Sequence, residues 1–143
     1  MSVCVKELRD LGLVNVDYPD SLREAVEEAV ASWKDFCQLP KEEKNAFAFL
    51  EDSHGDGAGY ELKEEKGSKK DFKENFHVTL FQYERLAEIA SQRSFPFLND
   101  AKILLDRMEP LILQFADSVE KEFNVKGLVD EVIVSKPYWI LRY

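Results

Sequence analysis

The stretch Gly57–Leu80, GAGYELKEEKGSKKDFKENFHVTL, constrains the fold most. Two alternating segments, Gly59–Leu62 and Phe72–Leu80, flank a charged connector, Glu64–Lys70, with Gly67-Ser68 at its centre. Alternation sends successive side chains to opposite faces of an extended chain, so the pattern predicts two strands joined by a loop. Helix-period sequence lies on both sides. Both histidines fall in this neighbourhood, His54 just before the stretch and His77 inside it.

Upstream, Val3–Leu11 predicts a short helix stopped by Gly12, and Leu13–Val16 alternates as a strand would. Ser21 with Glu24 three residues on has the form of a capping box. It opens a helix to Leu39 whose apolar stripe is Leu22, Val26, Ala29, Val30, Trp33, Phe36 and Cys37. Pro40 can start a second, short helix from Lys41. Phe47–Leu50 reads as extended and Glu51–Gly59 as a loop. Downstream, Tyr83–Ser91 predicts a helix, broken by Phe95-Pro96-Phe97. Asn99 can cap a long helix to Phe123, with Ile103, Leu104, Met108, Leu111, Ile112, Phe115 and Val119 as its stripe and a kink at Pro110. The β-branched and aromatic tail predicts strands at Val132–Val134 and Trp139–Tyr143.

With 143 residues, 45% of them hydrophobic, the chain is one domain by length and has the apolar content for a core. The net charge of −9 argues against nucleic acid and anionic membranes as partners, because both are polyanions. Two cysteines, Cys4 and Cys37, do not make a disulfide scaffold, so a reduced, cytoplasmic setting is expected. MSVCVKELRD lacks a basic stretch ahead of an apolar run, so no secretory leader is expected. No run approaches the ~18 apolar residues of a membrane span.

The order of five motifs resembles one family. Trp33–Lys44, WKDFCQLPKEEK, is similar to that family's "FF-x-LP-x-x-x-K" signature, with Asp35 in place of its first phenylalanine. Gly59-Tyr60 resembles its "GY" pair, and Asp71–Phe76, DFKENF, its "D-x-K-E-x-F" element. The long helix fits as well, and Leu141-Arg142-Tyr143 looks like its "LR-x-x-Y" strand. The family is the iron(II)/2-oxoglutarate-dependent dioxygenases of the isopenicillin N synthase-like type, and the resemblance is to their N-terminal region. It implies a mainly α chain with a few short β-strands (α+β), the helical region that braces a jelly-roll core, with residues 138–143 as the first strand of a core absent from this chain. Fe(II) and 2-oxoglutarate are expected for a complete family member and neither for this chain. In the family the core carries a His-x-Asp, a distal His and an Arg-x-Ser.

His54-Gly55-Asp56, His77 and Arg85 imitate the order of such an iron triad and its carboxylate-binding arginine. Against it, His54 and Asp56 lie in a glycine-rich loop, Arg85 is followed by Leu86-Ala87, and the stretch precedes the expected core. Neither a metal site nor a catalytic residue is therefore expected here. Glu51, Asp52 and Asp56 do not have the spacing of a calcium loop. Cys37 and His77 have no third group to act with them. Lys66, Lys69, Lys70 and Lys73 alternate with acids, as a solvated loop does. Tyr60 is the one candidate for the substrate mouth of an intact enzyme. The helices Ser21–Leu39 and Asn99–Phe123 are expected to pack through Trp33, Phe36, Leu104, Met108 and Phe115. The functional expectation is the non-catalytic N-terminal part of an oxygenase acting on a small organic substrate. Its partner would be the missing core, or a protein covering the 138–143 edge. The alternative is a stand-alone α-rich interaction module without enzymatic activity.

Overall fold

A computed structural model describes residues 5–51, 57–64, 72–92 and 95–143. Six helices and a four-stranded antiparallel sheet make up these residues, an α+β arrangement. In chain order they are α1 (Lys6–Leu11), α2 (Asp20–Cys37), α3 (Lys41–Asn45), β1 (Leu50–Glu51), β2 (Gly57–Glu64), β3 (Phe72–Thr79), α4 (Tyr83–Ser91), α5 (Phe97–Phe123), α6 (Leu128–Ser135) and β4 (Ile140–Arg142). A single 3-10 turn, Lys136–Tyr138, joins α6 to β4.

The sheet runs β1-β2-β3-β4. Tyr60 pairs with Phe76, Leu62 with Glu74 and Gly59 with His77 between β2 and β3. His77 in turn pairs with Arg142 on β4. Alternation then gives the sheet two faces. Ala58, Tyr60, Phe76 and Val78 lie on the core face and are all buried. Glu61, Lys63, Lys73 and His77 lie on the other. Gly59 sits at φ +122°, and a Cβ there would run into the Phe47 carbonyl. Glycine at this position lets the Phe47–Phe49 segment lie against β2, where Tyr60 N donates to Phe47 O at 2.7 Å and Phe49 N to Tyr60 O at 2.8 Å.

Two apolar clusters form the core. The larger gathers Phe36, Phe47, Tyr60, Phe76, Val78, Leu86, Phe97 and Leu98, with Trp33 against it. The smaller is the helix–helix seam of Leu22, Ala25 and Ala29 on α2 with Leu104 on α5. Leu141 and Tyr143 pack against both.

Several expectations are corrected. Val132–Val134 is helical, inside α6. Gly127 at φ +86° turns the chain into that helix, Asp130 and Glu131 stand in its first turn, and Glu120 Oε1 accepts the Val129 N–H at 3.1 Å. Those favourable end effects and packing on α5 outweigh β-branched propensity. Leu13–Val16 joins no ladder; Leu13, Val14 and Val16 line an apolar groove against α2 and α5 instead. The Ser21 capping box does not form: α2 starts at Asp20, and the Pro19 carbonyl takes the Leu22 and Arg23 N–H groups. α5 starts at Phe97, two residues ahead of Asn99. It continues through Pro110, where proline and Asp106, whose carbonyl proline leaves free, both face solvent. On α2, Val26 and Val30 are exposed while Ala25 and Ser32 are buried. The buried stripe is therefore rotated toward small residues that admit α5 closely. Trp33 and Phe36 accordingly pack on the sheet and Phe97, and Leu104 with Met108 on the separate seam. The final strand spans Ile140–Arg142 only, Tyr138 belonging to the 3-10 turn, and it pairs with β3.

Candidate functional site

The most developed polar constellation is a buried cluster of Lys44, Glu74, Tyr60 and Cys37. α3 delivers Lys44, whose side chain is 9% exposed, to the edge of the core. Its ammonium donates to Glu74 Oε1 at 2.5 Å and to the Cys37 carbonyl at 3.1 Å. It also lies 5.5 Å from the Tyr60 ring centroid. The Tyr60 hydroxyl donates to the same Glu74 Oε1 at 2.8 Å. The cluster thus ties the C-terminus of α2, α3, β2 and β3 to one carboxylate.

Its electrostatics follow from that geometry. Burial pushes the Glu74 carboxyl up, but the hydrogen bonds from Lys44 and Tyr60 outweigh burial and hold it below the usual range. Burial, then the neighbouring carboxylate, pushes the Cys37 thiol up to about 11 and the Tyr60 phenol higher still. At neutral pH Glu74 is therefore a carboxylate, Tyr60 a neutral phenol and Cys37 a neutral thiol. A protonated thiol is a poor nucleophile. The carboxylate's hydrogen-bonded oxygen already accepts from two donors, so the arrangement serves as a clamp and leaves little for acid–base chemistry.

The residues singled out in the sequence are placed as follows. Tyr60 is 4% exposed, beneath the sheet and inside the clamp. His77 lies on the opposite face, its ring 5.4 Å from that of Phe49 in an edge-on contact. Burial, then Arg142 beside it, lowers its pKa. Cys37 faces Glu74 on the core side, so Cys37 and His77 are separated by the sheet. Arg85 donates to the Ala58 carbonyl at 2.7 Å and to Gln82 Oε1 at 3.1 Å, a backbone brace. Glu51 and Lys73 are exposed. Cys4, Asp52, His54, Asp56, Lys66, Lys69 and Lys70 lie outside the described residues. Among the described residues no group of three or more His, Cys, Asp or Glu side chains could hold a metal ion. His77 has Gly59 and the cationic Arg142 as its partners in register.

Sequence reading missed the clamp as a unit, although Lys44, Tyr60 and Glu74 each stood in a quoted motif. The signal was there in kind: a lysine, a tyrosine and a glutamate at positions that fall toward one core. A further feature had no sequence signal, an apolar groove of about 480 Å³ lined by Leu8, Leu13, Val16, Leu22, Met108 and Phe115 among others. Among the described residues, no helix is long and apolar enough to cross a membrane.

Fold and clamp together define an α+β domain with a buried lysine–glutamate–tyrosine anchor. No family model matches the chain, and no curated protein and no solved structure matches it.

Proposed function

We propose that the chain is the N-terminal, non-catalytic part of an iron(II)/2-oxoglutarate-dependent oxygenase that acts on a small organic substrate when complete. The observation that supports this reading most is the convergence of its motifs. Lys44 closes the first motif, Gly59-Tyr60 is the second and Glu74 stands in the third, and their side chains meet in one buried cluster. Motifs that share a structural task have a reason to occur together in order. β4, which holds Leu141 and Arg142, lies at one end of the sheet order. A further strand has an edge there to pair with.

In this reading Fe(II) and 2-oxoglutarate belong to the core, and this chain braces it. Isothermal titration of the chain with Mn(II) plus 2-oxoglutarate is expected to give no micromolar binding; such binding would overturn the assignment of the site to another part of the protein. Reading the coding frame beyond Tyr143 is the decisive complement. A jelly roll with His-x-Asp, a distal His and Arg-x-Ser is expected, and a stop codon there would reject the proposal.

A second reading, a stand-alone interaction module, draws on Ile133, Val134, Tyr138 and Ile140, all exposed near the end of the chain. Sedimentation over a range of concentrations separates the two. Association that vanishes on Val134→Lys would favour the module.

A further inference from the structure

We infer that the apolar groove between the N-terminal segment and α5 is a binding site for a small, neutral, fused-ring molecule with a hydrogen-bond donor at one edge. This inference is independent of the oxygenase reading and holds whether or not a core follows β4.

The lining decides the class. Leu13, Val16 and Tyr18 form one wall and Met108, Leu111 and Phe115 of α5 the other, around about 480 Å³. Small-molecule sites are mostly apolar and run to about 300–1,000 Å³. The walls are open: Leu13 and Tyr18 are exposed, and Val16, Met108, Leu111 and Phe115 are half-buried. Among the described residues no charged side chain lines the groove. Of the charges beside it, Arg23 lies 3.8 Å from Asp20 and 5.8 Å from the Tyr18 ring centroid, Arg107 donates to the Ser21 carbonyl, and Asp17 is exposed. An ion seated in the groove would exchange water for hydrocarbon, so the occupant is neutral. The thioether of Met108 and the rings of Tyr18 and Phe115 favour aromatic contacts.

Shape narrows it further. Met108 to Phe115 covers about 10 Å along the helix axis, and the groove's volume over that length leaves a slot about 7 Å across. A helix with its side chains is about 10–12 Å across and does not enter. An extended peptide would turn one edge of its backbone toward α5, where the lining offers hydrocarbon and leaves those groups unpaired. The opposite wall differs. The backbone of residues 13–18 makes no hydrogen bond to another described residue. Its carbonyls are available to a donor at one edge of the occupant, as backbone groups are in small-molecule sites. A pair of fused rings with one N–H or O–H meets both walls.

The test is a titration of the isotope-labelled chain with indole, followed by amide and methyl shifts. Indole carboxylate has the same rings with a charge, and N-methylindole has them without the donor. Shifts centred on Leu13, Val16, Leu111 and Ile112 are expected with indole, together with a roughly tenfold weaker affinity for the carboxylate and for Phe115→Ala. N-methylindole should bind severalfold more weakly. Leu13 is 57% exposed, so Leu13→Glu supplies a second variant at the rim that leaves the core intact, with a similar loss expected. No binding, shifts centred elsewhere, or unchanged affinity in both folded variants would overturn the inference. Equal binding of the carboxylate would overturn the neutral class, and equal binding of N-methylindole the hydrogen bond. The same signals shifting as the chain alone is concentrated would give the groove to a second copy and reject a small-molecule site.

Discussion

At the scale of single residues the Lys44–Glu74 pair tests most directly how the clamp works. Removing one member of a buried pair leaves the other charge without its partner, which costs more than the pair itself contributes. The Glu74 side chain is 27% exposed and recovers some hydration. Lys44→Met is therefore expected to cost about 2–3 kcal/mol in urea unfolding. The double variant Lys44→Met/Glu74→Leu should recover at least half of that, because no charge is then stranded. Equal losses in the single and double variants would show that the two side chains are not coupled. The same residues set the pH range. Glu74 has a folded pKa below its ordinary 4.5. Its contribution is present above pH 4.5 and is lost as pH falls through the lower folded value, and Glu74→Gln should flatten that acid limb. Cys37 is raised from 9.0 to about 11, so its contribution is complete below pH 9 and is lost between pH 9 and 11. Site-resolved alkylation of Cys37 at pH 8 should accordingly be far slower than that of a free thiol of ordinary pKa.

At the scale of elements, what sequence could and could not disclose follows from where the determinants lie. β2, β3, α4 and the body of α2 and α5 were legible because their periodicity is written in the segments themselves. α6 was not, because VDEVIVS has strand propensity and its helix depends on Gly127, on Glu120 nine residues upstream of Val129, and on α5. The seam between α2 and α5 was misread for a related reason. Hydrophobicity pointed to Val26 and Val30 beside Ala29, but close approach leaves those valines exposed and selects Ala25 with the expected Ala29, a steric preference that a hydropathy pattern does not contain. The clamp was legible only in pieces, since pairing across 14 and 30 positions is set by the fold. This separation of the clusters changes an expectation. Phe36 is 2% exposed amid Trp33, Phe47, Phe76 and Phe97, whereas Phe115 lines an open groove. Phe36→Ala should cost about 3–5 kcal/mol and Phe115→Ala about 1, measured by the same unfolding transition. Equal costs would place Phe115 in the core.

For the whole molecule, the end of the described chain is what joins the two clusters. Tyr143 exchanges backbone hydrogen bonds with Phe76 at 3.0 and 3.1 Å, and its ring lies 4.8 Å from Phe97 and 5.8 Å from Trp33. Leu141 and Tyr143 touch the sheet cluster and the helix seam alike. Deleting residues 140–143 therefore removes an edge strand and uncovers both clusters together. The expected loss is about 4–6 kcal/mol, or roughly 10–20 °C in Tm for a chain of this size. The phenol oxygen itself contributes differently. Tyr143 Oη is buried without a hydrogen-bond partner among the described residues. A buried donor left unpaired costs stability, so Tyr143→Phe should be neutral or raise Tm by a few degrees. Paired melts of the deletion and of Tyr143→Phe then separate two roles for the tail. A wedge that holds the clusters together gives a large loss in the first and none in the second. A strand that merely leads onward to another domain would leave the melting of this one unchanged in both.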